Sequence, residues 1–259
     1  MASGGRRHRW ARAVGALLFV LVLAGCAGQG VSQSGSAATP EEGLPLDPAA
    51  QVEYICGAHP FTKDLLSQPA NAEQASNPWT AAFRAFLATP SMDIDWLPER
   101  GWWLVGVDAT TASFIAQVEG DPPFVGVSVA NDGTGWRVDS WGQCRPSAVL
   151  PGLGPARWTF DPNVPAPSAG DRRFVALVTE MACASGQPAD GRILPPVVLY
   201  GRDDILVIFG VRPLGGAQNC PGNPATRIVV TLDEPIGDRR VMDGGFLPAR
   251  DPTEPDPFN

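Results

Sequence analysis

The stretch Trp102-Trp103-Leu104-Val105-Gly106-Val107 is the first of four short apolar runs, each closed by turn residues. Asp108-Ala109-Thr110-Thr111 ends the first. Ser113 to Val118 is broken by Gly120-Asp121-Pro122-Pro123, and Phe124 to Ala130 by Asn131-Asp132-Gly133. Gly135 to Trp141 then runs into Cys144. Runs of this length, rich in β-branched and aromatic residues and joined by short polar turns, predict an antiparallel meander of four strands. Alternation places Phe114, Ala116 and Val118 on one face, and likewise Val125, Val127 and Val129.

Working back towards the N-terminus, Asn77-Pro78 predicts a helix start, with Asn77 as N-cap and Pro78 in the first turn. Trp79, Phe83, Phe86 and Leu87 follow at helical spacing, and Thr89-Pro90 stops the helix. Residues 51–150 therefore read as an α+β module, a helix plus a four-stranded antiparallel meander. That element order is similar to cystatin-like and NTF2-like layouts. The likeness is one of layout alone and carries no function.

Working forward, six prolines between Pro146 and Pro167 predict an extended connection, neither helix nor central strand, and residues 151–170 read as a Pro-rich linker. Residues 171–247 read as a small, mostly antiparallel β module. Phe174 to Thr179 is one run. Pro196 to Tyr200 and Ile205 to Val211, with Gly201-Arg202-Asp203-Asp204 between them, predict a hairpin. Arg227 to Leu232 and Arg239 to Met242 complete the module. Residues 248–259, with four prolines and several acids, read as a disordered tail.

The N-terminus has a different character. Arg6, Arg7, Arg9 and Arg12 precede an apolar run from Ala13 to Leu23. The run has 11 residues, whereas a spanning helix needs about 20. It reads as a secretory signal over residues 1–25. Leu23-Ala24-Gly25-Cys26 resembles the lipobox of bacterial lipoproteins at all four positions. The resemblance implies cleavage before Cys26, lipidation of Cys26 and a cell-membrane anchor on the extracytoplasmic face. Arg6-Arg7 leaves open whether export is general secretory or twin-arginine. Residues 26–50, made largely of Gly, Ser, Gln, Ala and Pro, read as a disordered tether.

Of the 19 basic residues, four precede Cys26, which leaves 15 against 27 acids and a net charge of −12. Such a chain argues against nucleic acid and against an anionic membrane surface as partners. The 29 glycines and 27 prolines resemble the usage of GC-rich genomes.

Four cysteines follow Cys26: Cys56, Cys144, Cys183 and Cys220. An exported chain with an even number predicts two disulfides out of three pairings. Cys56–Cys144 with Cys183–Cys220 is preferred, because each pair brackets one run of strands. Loop entropy gives each about 4 kcal/mol. A zinc site lacks any Cys-x-x-Cys spacing. Cys183-Ala184-Ser185-Gly186, Cys220-Pro221-Gly222-Asn223-Pro224 and Glu234-Pro235-Ile236-Gly237-Asp238-Arg239, ending Asp243-Gly244-Gly245, resemble a module of uncharacterised exported actinobacterial proteins. That resemblance implies location and a fold unit, and no activity.

Residues with chemistry to offer are few. His59 is the only histidine after Cys26 and reads as a loop residue; any Ser-His-Asp or Cys-His arrangement would have to use it. No Gly-x-Ser-x-Gly elbow or phosphate loop is present. Asp93 with Asp95, or Glu180, could serve a carboxylate mechanism. Arg192, Asp238, Arg239 and Asp243 read as ion pairs or caps among turns. Six tryptophans lie between Trp79 and Trp141, most of them expected in the core. Trp102 and Trp141 are the candidate ligand contacts, since Trp102 and Trp103 must face opposite sides of a strand. The expectation is a lipid-anchored, non-catalytic protein that binds an envelope protein or glycan, with no cofactor and no metal. The alternatives are an extracytoplasmic enzyme using a carboxylate pair, or a small-molecule or lipid carrier.

Overall fold

The computed structural model describes residues 48–89 and 95–254. The expected signal peptide, Cys26, the tether up to residue 47, Pro90, Asp93 and the tail from residue 255 lie outside the described residues. A 3-10 turn at Pro48–Gln51 leads into β1 (Glu53–Ile55) and β2 (Pro60–Thr62), an antiparallel pair. Further 3-10 turns at Lys63–Ser67 and Ala72–Gln74 lead to α1 (Pro78–Leu87). Asn77 Oδ1 accepts from Thr80 N at 2.8 Å, so the side chain caps a backbone donor that the helix start leaves unpaired.

Four strands follow: β3 (Trp102–Val107), β4 (Thr111–Gln117), β5 (Phe124–Asn131) and β6 (Trp136–Cys144). Each pairs antiparallel with the next, in the order β3-β4-β5-β6. Phe83 of α1 is fully buried against one face of this sheet. It stacks on Phe114, centroids 4.3 Å apart, and meets Trp102 edge-on at 4.9 Å. A ring buried in this way contributes roughly 1.5–3 kcal/mol.

The chain continues through β7 (Ser147–Ala148), β8 (Gly154–Phe160), β9 (Arg173–Glu180), β10 (Val197–Tyr200), β11 (Asp204–Ile208), β12 (Gly210–Val211), β13 (Thr226–Thr231) and β14 (Arg240–Asp243). β7 joins the first hairpin in the order β2-β1-β7. A second four-stranded sheet has the order β12-β8-β9-β13, and a three-stranded one the order β10-β11-β14. In the latter, β11 and β14 run parallel, the one parallel pair among the described strands.

The expected α+β class is overturned: the protein is mostly β, with fourteen strands and one ten-residue α-helix among the described residues. The helix is on the order of 15 Å long and covers only part of one sheet face. The opposite face is covered by β structure. Ile115 and Phe124 from it pack with Tyr54, Phe61, Ile208 and Leu247. Sheet therefore rests on sheet, and the lone helix is an addition, not a layer.

That same cluster draws residues from both halves of the chain. Tyr54 Oη donates to Gly244 O at 3.4 Å, and Ala148 N donates to Gly245 O at 2.9 Å. The stretch 151–170, read as a linker, contains β8, an interior strand that carries the fully buried Trp158. Pro155 is accommodated because a proline near a strand's start removes few ladder bonds. The run from Ile205 to Val211, read as one strand, is divided between two sheets. At the division, a Cβ on Gly210 would lie 2.6 Å from Leu153 Cδ1, so a larger residue there would have to displace Leu153. In the tail region, Pro252 is buried and its carbonyl accepts from Phe160 N at 3.1 Å.

Both disulfides are present in the preferred pairing, Cys56–Cys144 and Cys183–Cys220. They mark an extracytoplasmic or secreted protein. Among the described residues no helix is long and apolar enough to cross a membrane.

Candidate functional site

The arrangement of most chemical interest is one that the sequence hid. His59 lies over β3, where a bulge falls between Leu104 and Gly106. A Cβ on Gly106 would come within 2.8 Å of His59 Cγ, so the bare glycine is what lets the ring approach the strand so closely. From there Nδ1 shares a hydrogen bond with Ser113 Oγ at 2.8 Å, and Nε2 meets Asp108 Oδ2 at 3.2 Å. Serine, histidine and aspartate thus stand in line, 54 and 49 residues from the ring in sequence.

The line does not make a nucleophile. Ser113 is 1% exposed, so no substrate carbonyl reaches its oxygen. Asp108 also accepts from Thr110 N, Thr111 N and the Thr110 hydroxyl. Those bonds, led by the Thr110 backbone N–H, hold its carboxyl down at about 2, with the His59 bond adding to them. The carboxylate is thereby committed to its turn. The trio ties the loop before β2 to β3 and β4.

Of the other polar side chains singled out by sequence, Glu180, Arg239 and Asp243 are engaged. Glu180 is closed off by Arg192, with Nη1–Oε1 at 2.9 Å and Nη2–Oε2 at 2.5 Å. Arg239 donates to Glu234 and to the Ile236 and Pro235 carbonyls. Asp243 is fully buried and accepts from Trp158 N and Gly245 N. Asp95 is exposed. Among the described residues no three His, Cys, Asp or Glu side chains gather closely enough to hold a metal ion.

The two tryptophans singled out by sequence part company. Trp102 is fully buried, and its candidacy as a ligand contact is corrected: its face of β3 is the one that α1 covers. Trp103 packs in the other cluster and donates through Nε1 to Gln68 O. Trp141 is 39% exposed and leans on Phe86, centroids 5.0 Å apart.

The residue that sequence reasoning passed over is Trp96, 42% exposed. It lines a groove of about 430 Å³ at one end of the first sheet, with Pro98, Gln117, Val118, Glu119 and Gln143. β4 and β6 end there, at Gln117 and Cys144. Gln143 opposes Val125 and Trp141 opposes Val127, so both project from the same face, about 7 Å apart along β6. Arg145 pairs with Asp121, tying the turn between β4 and β5 to the end of β6. Leu97 anchors the rim by its burial, and Trp102 Nε1 donates to Pro98 O at 2.7 Å.

The groove holds an indole, two side-chain amides and one carboxylate. An indole face stacks on apolar ring surface, and amides donate to and accept from hydroxyls. Such a set is suited to stacking and hydrogen bonding, and its lining includes no Ser, Thr, Cys, His or Lys side chain. No protein family, no curated protein and no solved structure matches the chain.

Proposed function

We propose that this is a lipid-anchored, extracytoplasmic protein that binds a glycan of the cell envelope in the groove beside Trp96. The observation that carries the reading is the exposed indole of Trp96 next to the amides of Gln117 and Gln143 and the carboxylate of Glu119. Trp141, two residues before Gln143 on the same face, is a second exposed indole on β6. The lipobox likeness at Leu23-Ala24-Gly25-Cys26 supports anchoring, and a lipidated Cys26 would hold the groove at the membrane's outer face. The likeness of the C-terminal module to exported proteins points the same way.

The test is a titration of the protein with solubilised wall polysaccharide fragments, followed by tryptophan fluorescence. Saturable binding that Trp96→Ala weakens by about tenfold supports the reading. Binding indifferent to Trp96→Ala and Trp141→Ala, or none to any fragment, overturns it. Separately, Cys26→Ala should move the protein from the membrane fraction to the medium; unchanged retention would sink the anchor.

A further inference from the structure

A second groove, on the far side of the same rim segment, has a different chemistry. It measures about 710 Å³, inside the range of roughly 300–1,000 Å³ usual for small-ligand sites. Its walls come from the Ala72–Gln74 turn, the end of α1 and the residues before β3. Glu73 lies within it and is only 6% exposed. Its Oε2 accepts from Trp102 N at 3.3 Å, and its Oε1 has a long contact, 3.5 Å, with Gln74 Nε2.

No cationic side chain pairs with that carboxylate among the described residues. Arg84 is beside it but turned to the backbone: Nη1 donates to Glu73 O at 3.0 Å and to Ala75 O at 2.8 Å. A carboxylate taken out of water without a counter-charge is costly. Here the cost is carried at the wall of an open groove, where an incoming cation could relieve it. The C-terminal end of α1, at Leu87 and Ala88, borders the same space, and the negative end of the helix dipole adds to its potential.

The other side is basic. Arg100 is exposed and forms no hydrogen bond or ion pair with the described residues, and neither does its neighbour Glu99. The groove therefore presents two carboxylates, two guanidiniums and an apolar wall. Its net charge is zero, which disfavours a plain anion or a plain cation. We propose that this groove binds a zwitterionic amino acid or short peptide, with the ligand's ammonium group at Glu73, its carboxylate at Arg100 and an apolar side chain against Leu87 and Ala88.

The probe is the dipeptide alanyl-leucine, titrated calorimetrically into the full-length protein beside its N-acetylated and C-amidated forms. Saturable binding, weakened about tenfold by either cap, is the expected result. Glu73→Gln keeps an acceptor for Trp102 N and should erase the distinction between free and acetylated peptide. If that variant fails to fold, Arg100→Ala, on the exposed rim, should erase the distinction between acid and amide. Equal binding of capped and uncapped peptide, or no saturable binding at millimolar concentration, overturns the proposal.

Discussion

Trp102 holds Pro98 by a single hydrogen bond, Nε1 to carbonyl oxygen at 2.7 Å, and through it a core side chain sets the rim between two grooves. Trp96 and Pro98 face one groove, and Glu99 and Arg100 the other. Trp102→Phe would keep an aromatic ring against Phe83 but remove the donor. An unsatisfied carbonyl costs about 1–3 kcal/mol, and the indole's lost volume adds to that. Urea denaturation should show a loss of this order, and affinity at both grooves should fall together. A variant that loses stability but binds normally at both would show that the rim is set by Leu97 alone.

The His59 clamp gives a test of close packing. Gly106→Ala places a methyl group within 2.8–2.9 Å of the imidazole ring, which must move off Ser113 and Asp108. Overpacking of this kind costs about 1–3 kcal/mol. Combined with His59→Ala, the alanine at position 106 should cost far less, because its obstacle is gone. A double-mutant cycle measured by denaturation reads the coupling directly. Additive single effects would mean that the ring is not held on β3.

Local chemistry in this chain was legible and long-range chemistry was not. Asn77-Pro78 announced a helix start because a cap and its helix lie within four residues. Asn131-Asp132-Gly133 announced a turn for the same reason. The fold class failed because nothing local says what covers the second face of a sheet. Residues 51–150 contain one helix, and the local pattern offers nothing else to cover the second face. The cover is instead Tyr54 and Phe61 on one side of the chain and Ile208 and Leu247 on the other. Proline content concealed β8, since Pro155 is the second residue of the strand and its ladder with β9 begins only at Ala156. Trp102 and Trp103 were known to face opposite ways, but which of them met the helix depended on register. Trp96 sits in no periodic run, so its exposure had no sequence signature.

Glu180 and Arg192 form the pair whose removal should be felt most. Glu180 is 1% exposed at its side chain, and Arg192 supplies both of its hydrogen bonds from one fork. Arg192→Met leaves an uncompensated buried carboxylate, and the expected loss is about 3–5 kcal/mol. Adding Glu180→Leu should restore most of it, because a well-packed apolar pair needs no desolvation. Thermal melting of the two variants and the parent separates the cases. A double variant as weak as the single one would assign Arg192's role to its bonds with the Arg212 and Pro188 carbonyls instead.

Asp243 should make the protein's stability depend on pH near neutrality. Burial raises its carboxyl to about 7, opposed by the Gly245 and Trp158 N–H bonds and by Arg250. In the unfolded chain the same group releases its proton near the ordinary value, 3.8. Between those two points the folded state holds a proton that the unfolded state has lost. Stability from this group is therefore complete below about 4 and is lost as pH rises towards 7, by about 1.4 kcal/mol per pH unit at most. Asp243→Asn cannot ionise, so the slope it contributes between pH 4 and 7 should vanish. The absolute stability will also change, because an amide offers one acceptor oxygen where the carboxyl met two N–H groups. The slope, not the midpoint at any single pH, is the quantity that decides. Denaturation curves collected at half-unit steps across that window would show it, and an unchanged slope in the Asn variant would assign the pH dependence to other carboxylates.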